Sequence, residues 1–165
     1  MSPKTAQLSQ DLLHALSQET PKLAGLPESD AQTRPGGGRG WSRKQEIGHL
    51  IDSATNNRVR FATAALDGKY AGPTYDGDGW VKLGDYHSMS WNTLVNLWTA
   101  HNRALAALIA QIPDEKLTAP CQIGSGTAVT LGFLIEDYTL HLQHHLDHLL
   151  GREVSTSYPG AAQGV

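Results

Sequence analysis

The chain has one cysteine, Cys121, in 165 residues. That excludes an internal disulfide framework and any zinc site built on several thiolates. No apolar run approaches the length that spans a bilayer. No charged-then-apolar leader opens the chain, so a cytoplasmic protein without a membrane partner is expected. Charge is scarce as well, at 18% Asp, Glu, Lys and Arg with a net charge of −3 and a pI near 6.2. A domain whose main partner is nucleic acid carries a basic excess that is missing here. Strand-like alternation is nearly absent and no internal repeat is visible. With 39% hydrophobic residues, the chain still has enough apolar surface to fill one core.

What is present is helical spacing, punctuated by Gly and Pro. Leu8, Leu12, Leu13 and Leu16 define an amphipathic helix from about Thr5 to Leu23. The segment PESDAQTRPGGGRG reads as irregular. Ser42 and Gln45 then form a capping box for a second helix that ends at Gly68. Its stripe is Ile47, Leu50, Ile51, Ala54, Phe61, Ala62 and Ala65. Residues 69–89 form a long connection, anchored by burying Tyr70, Tyr75, Trp80 and Tyr86. A connection of that length inside a compact domain is commonly functional. A third helix from about Ser90 to Gln111 takes its apolar spacing from Leu94, Leu97, Trp98, Leu105, Leu108 and Ile112, and Pro113 stops it. Residues 121–127 read as irregular, and Thr130 caps a fourth helix that runs to Leu150 before Gly151. The expected fold is an all-α four-helix bundle over residues 1–151, with long connections and at least one crossover. Residues 152–165 read as a loose tail without apolar period.

The one compositional anomaly is eight histidines. His141 and His145 are one turn apart on the fourth helix, about 40° from each other in azimuth. Two imidazoles so placed can converge on one ion. His49, inside the inward-packing stretch HLIDS of the second helix, is the natural third ligand. Three neutral imidazoles leave coordination positions open, as catalytic rather than structural zinc sites do. Against this stands a solvated histidine face that binds metal only adventitiously. His14 and His87 read as ordinary hydrogen-bonded or surface residues.

Three motifs occur in order: W-S-x-x-Q-E-I-x-H-L-x-D-S-x6-R-F from Trp41 to Phe61, YDGDGW, and Y-x-x-H-x-x-H-H-x-x-H from Tyr138 to His148. Together they resemble the DinB/YfiT-like metalloenzyme superfamily, and within it the YfiT branch that includes bacillithiol S-transferases. The resemblance covers about Leu23 to Leu150. It implies a dimeric four-helix bundle with one divalent ion, zinc or nickel, on His49, His141 and His145. It also implies the transfer of a low-molecular-weight thiol to an electrophile. The chain departs from that branch at Ala54, where a further His is usual, and after Leu150, where GREVSTSYPG replaces a Gly-Trp ending.

Around the triad, Asp52 is a base or an acceptor for a ligand histidine, Arg60 a holder of charged groups on the thiol, and His148 an acid–base group. Each has a plainer reading: a surface carboxylate, an arginine snorkelling over the bundle, a histidine crowding the rim. Asp137 is placed to accept a proton from a ligand's second nitrogen, and His144 shares the rim with His148. His101 is a weaker candidate, and Cys121 reads as a packing residue. Two other functions compete, a metal-dependent hydrolase that activates water and a non-catalytic metal-binding stress-response bundle.

Overall fold

Three of the four long helices start at a side-chain cap. In the computed structural model, which describes residues 3–35 and 40–159, Ser42 Oγ accepts from Gln45 N at 3.3 Å. Gln45 Oε1 accepts from Ser42 N at 2.9 Å, completing the predicted capping box. The four long helices are α1 Lys4–Ala24, α3 Arg43–Asp67, α5 Trp91–Ala110 and α6 Leu131–Leu149. Ser90 caps α5 and Thr130 caps α6, each accepting from the backbone three residues on. Gly68 (φ 73°) and Gly151 (φ 66°) take the left-handed turns that release the chain from α3 and α6. These four helices lie within a residue or two of where spacing and caps place them. No helix among the described residues is long and apolar enough to cross a membrane.

The bundle is a four-helix arrangement with crossovers. α1 packs on α5 and α6, and α3 packs on the same two helices, so α1 and α3 occupy opposite corners. The segment from Gly25 to Ser42 therefore crosses the bundle rather than turning back. It holds a short helix, α2 Glu28–Ala31, where the sequence reads as irregular; residues 36–39 of the glycine loop lie outside the described residues. Glu28 explains why α2 forms: its carboxylate accepts from Trp91 N at 2.8 Å and pairs with the buried Lys44 ammonium. These partners are remote in sequence, so local pattern does not reveal them.

Two further segments read as connections are built around a small sheet. β1 Tyr70–Gly72 runs parallel to β2 Pro120–Ile123, which pairs antiparallel with β3 Val129–Thr130. Strands of three, four and two residues are too short to leave an alternating pattern. A helix, α4 Gly77–Gly84, occupies the rest of the 69–89 segment, followed by a 3-10 turn over Tyr86–Ser88. Tyr86 is buried and Tyr70 packs half-buried against the core, whereas Trp80 is 40% exposed and meets Tyr75 edge-on at 5.4 Å. The core is centred on Trp98, Phe61, Leu50 and Leu105, all fully buried. Leu97 faces out, and Val95 and Ile109 take inward places on α5. Tyr138 OH donates to Asn102 Oδ1 inside this core.

Each long helix has its own apolar stripe, so folding is expected not to wait on a bound ion. Chelation is expected to leave the helical circular-dichroism signal intact. A collapse of that signal on removing metal would make the ion structural.

Candidate metal centre

The triad forms where α3 and α6 face each other. His49 and His145 are buried and His141 is half-buried. His49 Nε2 lies 3.2 Å from His141 Nε2. The ring centroids are 5.2 Å apart for His49–His141, 4.6 Å for His49–His145 and 4.4 Å for His141–His145. One nitrogen from each of the three lies within 4.8 Å of the others. The 3.2 Å pair has the spacing of two donors on one ion at metal–nitrogen distances of about 2.0–2.1 Å, and the third nitrogen is close enough to be aimed at the same centre.

The chemistry of the donor set passes the same test. Glu46 Oε1 lies 2.5 Å from His145 Nδ1. An ionised carboxylate only accepts, so Nδ1 carries the hydrogen and the lone pair of His145 is on Nε2. A carboxylate behind a histidine in this way orients the ring and raises its basicity as a ligand. Three imidazoles of this kind suit a borderline divalent ion. The sequence reading missed Glu46. Its signal was present but ambiguous, since Glu46 is one turn before His49 on the same face and also follows the capping box.

Asp52 is buried, and Tyr86 OH donates to its Oδ1. Its other oxygen, Oδ2, is buried with no hydrogen-bond partner. Burial holds the Asp52 carboxyl above the usual carboxylate range, against the Tyr86 hydrogen bond, which lowers it. Asp52 thus fixes Tyr86 and is no surface carboxylate. Arg60 is 4% exposed, which corrects the snorkelling alternative. It lines a cavity with His141, Asp137, Ser53 and Asn57. Asp137 therefore stands beside His141.

His148 and His144 lie outside the triad. The His148 ring is 6.5 Å from His145 and 4.9 Å from His144. His144 Nδ1 meets Thr156 O at 2.7 Å, and Tyr158 sets its ring 4.9 Å from His141 and 5.2 Å from His144. Arg152 reaches Glu19 at 3.1 Å and Asp147 at 2.7 Å. Residues 152–159 are therefore folded over the histidines instead of forming a loose tail, and residues 160–165 lie outside the described residues. His101, on α5, is lowered by burial and by the Arg58 charge, and it is not part of the triad. Cys121 is fully buried in β2, and burial pushes its thiol up to about 11 while the Arg60 charge opposes the shift. It is a packing residue, as expected. His14 and His87 are exposed.

A crossed four-helix bundle with three inward imidazoles at one α3–α6 contact is the frame of a metal-dependent enzyme class. The DinB superfamily model matches residues 10–149, and the chain belongs to that superfamily. A relative in Halalkalibacterium halodurans, named "Putative metal-dependent hydrolase", is 28% identical over 109 residues, 66% of this chain and 63% of the relative. One of the same name in Bacillus cereus is 29% identical over 143 residues, 85% of this chain and 78% of the relative. The first three curated relatives are each matched over 63% of their length. Among solved structures, YfiT from Bacillus subtilis, described as a probable metal-dependent hydrolase with an unusual four-helix bundle topology, superposes with a TM-score of 0.78. It is 21% identical, with 95% of this chain and 91% of that one covered. A mycothiol-dependent maleylpyruvate isomerase superposes with a TM-score of 0.72 at 11% identity, over 93% of this chain and 62% of its own. At these identities, the structures establish the shared fold.

Proposed function

We propose that this chain is a metal-dependent S-transferase that joins a low-molecular-weight thiol, bacillithiol-like in kind, to an electrophilic small molecule. His49, His141 and His145 hold one divalent ion, zinc or nickel. The observation that carries this reading is the triad itself: three convergent imidazoles with no cysteine or carboxylate in the same ligand group among the described residues. When bound, such an ion supplies the Lewis acidity that keeps a thiol as thiolate or lowers the pKa of a water. The chain's own groups set the stage. Glu46 keeps the hydrogen on His145 Nδ1. Trp41, 5.0 Å from His49, and Tyr158 wall the centre. Asp52 fixes Tyr86 through its hydroxyl. His148, half-buried at the edge, is placed to take the proton that the thiol gives up. A homodimer in the cytoplasm belongs to the same proposal.

Hydrolysis is the second reading, favoured by the names of the curated relatives. The two separate on thiol dependence. Metal-loaded protein is offered a fluorogenic bimane halide with bacillithiol, mycothiol or cysteine, and separately a panel of activated esters. The expected result is conjugation that needs both thiol and metal: a carbon–sulfur bond forms, halide leaves and the thiol proton passes to solvent. Ester cleavage without thiol, and no conjugation with any thiol, would replace transferase by hydrolase.

A further inference from the structure

His49, Ser53, Asn57 and Arg60 lie along one face of α3. At about 100° per residue they fall within about 80° of azimuth, and Arg60 returns to about 20° from His49. They form a polar stripe that starts at the triad and ends, about 16 Å along the axis, at a guanidinium. Helical side chains tilt toward the N-terminus, which carries a long side chain at position 60 back toward the histidines. Ser53, Asn57 and Arg60 line one cavity with His141 and Asp137.

Arg60 is the unusual member. It is more than nine-tenths buried, and among the described residues no side-chain hydrogen bond or ion pair is seen at its guanidinium. A buried cation without a protein partner has to be completed by whatever enters the cavity it faces, water or an anionic ligand. The neighbouring donors agree. Asn57 Nδ2 donates to Ser53 O at 3.0 Å and to Ser53 Oγ at 3.3 Å. That satisfies Ser53 as an acceptor and leaves its hydroxyl hydrogen to point at a ligand. The cavity holds about 30 Å³, roughly twice what one water needs. A space of that size takes a small planar carboxylate, which a guanidinium grips through two parallel hydrogen bonds.

We propose that Arg60 and Ser53 form a carboxylate subsite for the small molecule that reacts at the triad, so that one reactant carries a carboxylate several bonds from its reacting atom. Only the identity of that reacting end rests on the transferase reading. The subsite itself is a property of the cavity.

The test uses the full chain, first chelated, so that a carboxylate cannot bind the ion, and then zinc-loaded. Acetate and neutral acetamide are titrated while the arginine Nε–H resonances are followed by NMR. Acetate is expected to shift the Arg60 signal at millimolar concentration, and acetamide to leave it in place. Acetate affinity is expected to fall at least tenfold in Arg60→Met and several-fold in Ser53→Ala, with zinc content unchanged in both. Arg60→Met is expected to melt at the same temperature or higher, because it removes an unpaired buried charge. In the zinc-loaded enzyme, 3-mercaptopropionate is expected to show a lower KM than its amide, a gap that closes in Arg60→Met. Acetate binding equal in wild type and Arg60→Met would overturn the subsite and make Arg60 a structural cation. If Arg60→Met does not fold, Ser53→Ala and the resonance shift decide alone. Absence of thiol conjugation alongside Arg60-dependent acetate binding would remove the transferase reading and leave the subsite standing.

Discussion

His145→Ala is expected to hold far less than one divalent ion per chain, with affinity reduced by about 100-fold or more. Loss of a group that only supports a ligand already costs about 10–100-fold, and His145 is itself a member of the triad. The structure adds a second cost. His145 Nδ1 is the hydrogen-bond partner of Glu46 Oε1, and both groups are buried. Removing the imidazole takes the His145 hydrogen bond away from the buried Glu46 carboxylate. Elemental analysis after purification without chelators, followed by competitive titration with a chromophoric chelator, measures both occupancy and affinity. Circular dichroism should show the helices unchanged. Full occupancy in His145→Ala would mean that the ion sits elsewhere. His14→Ala, which alters an exposed histidine on α1, should bind metal like the wild type.

The triad was legible because helical periodicity carries its own geometry. An i, i+4 histidine pair on one helix and a histidine inside an apolar stretch of another leave few ways to pack without meeting. The four long helices were legible for the same reason, and their caps at Ser42, Ser90 and Thr130 are written in adjacent residues. What stayed hidden is non-local or too short. Glu46 meets His145 across 99 positions, and Arg152 meets Glu19 across 133, so no window on the sequence contains either pair. Tyr158 sits in a stretch with no apolar period, yet the Arg152 ion pairs and the Thr156–His144 hydrogen bond bring it onto the triad. The burial of Arg60 was equally hidden, since an arginine among Asn56, Asn57 and Arg58 reads as surface. The small sheet failed the pattern test on length alone.

Gly48→Ala is expected to destabilise the protein by about 3 kcal/mol, although alanine is the better helix former by about 1 kcal/mol. Gly48 is inside α3, beside His49. A Cβ placed there would lie 2.0 Å from Tyr86 Cδ2 and 2.3 Å from Cγ. The ring cannot easily step aside. It is buried, it follows the left-handed turn at Asp85 (φ 49°), and its hydroxyl is held by Asp52. Moving it costs overpacking energy of about 1–3 kcal/mol. It also strips the last hydrogen bond from a carboxylate whose other oxygen has none, worth about 1–3 kcal/mol more. The sum exceeds the gain in helix propensity. Urea unfolding of the chelated protein measures the loss, and a second background tests its cause. In Tyr86→Ala the ring is gone, so the same Gly48→Ala change should become neutral or stabilising by up to about 1 kcal/mol. Equal destabilisation in both backgrounds would show that Gly48 is required for something other than the Tyr86 ring. A reversal of sign would show that the missing side chain at position 48 is what lets Tyr86 reach Asp52, one turn beyond His49.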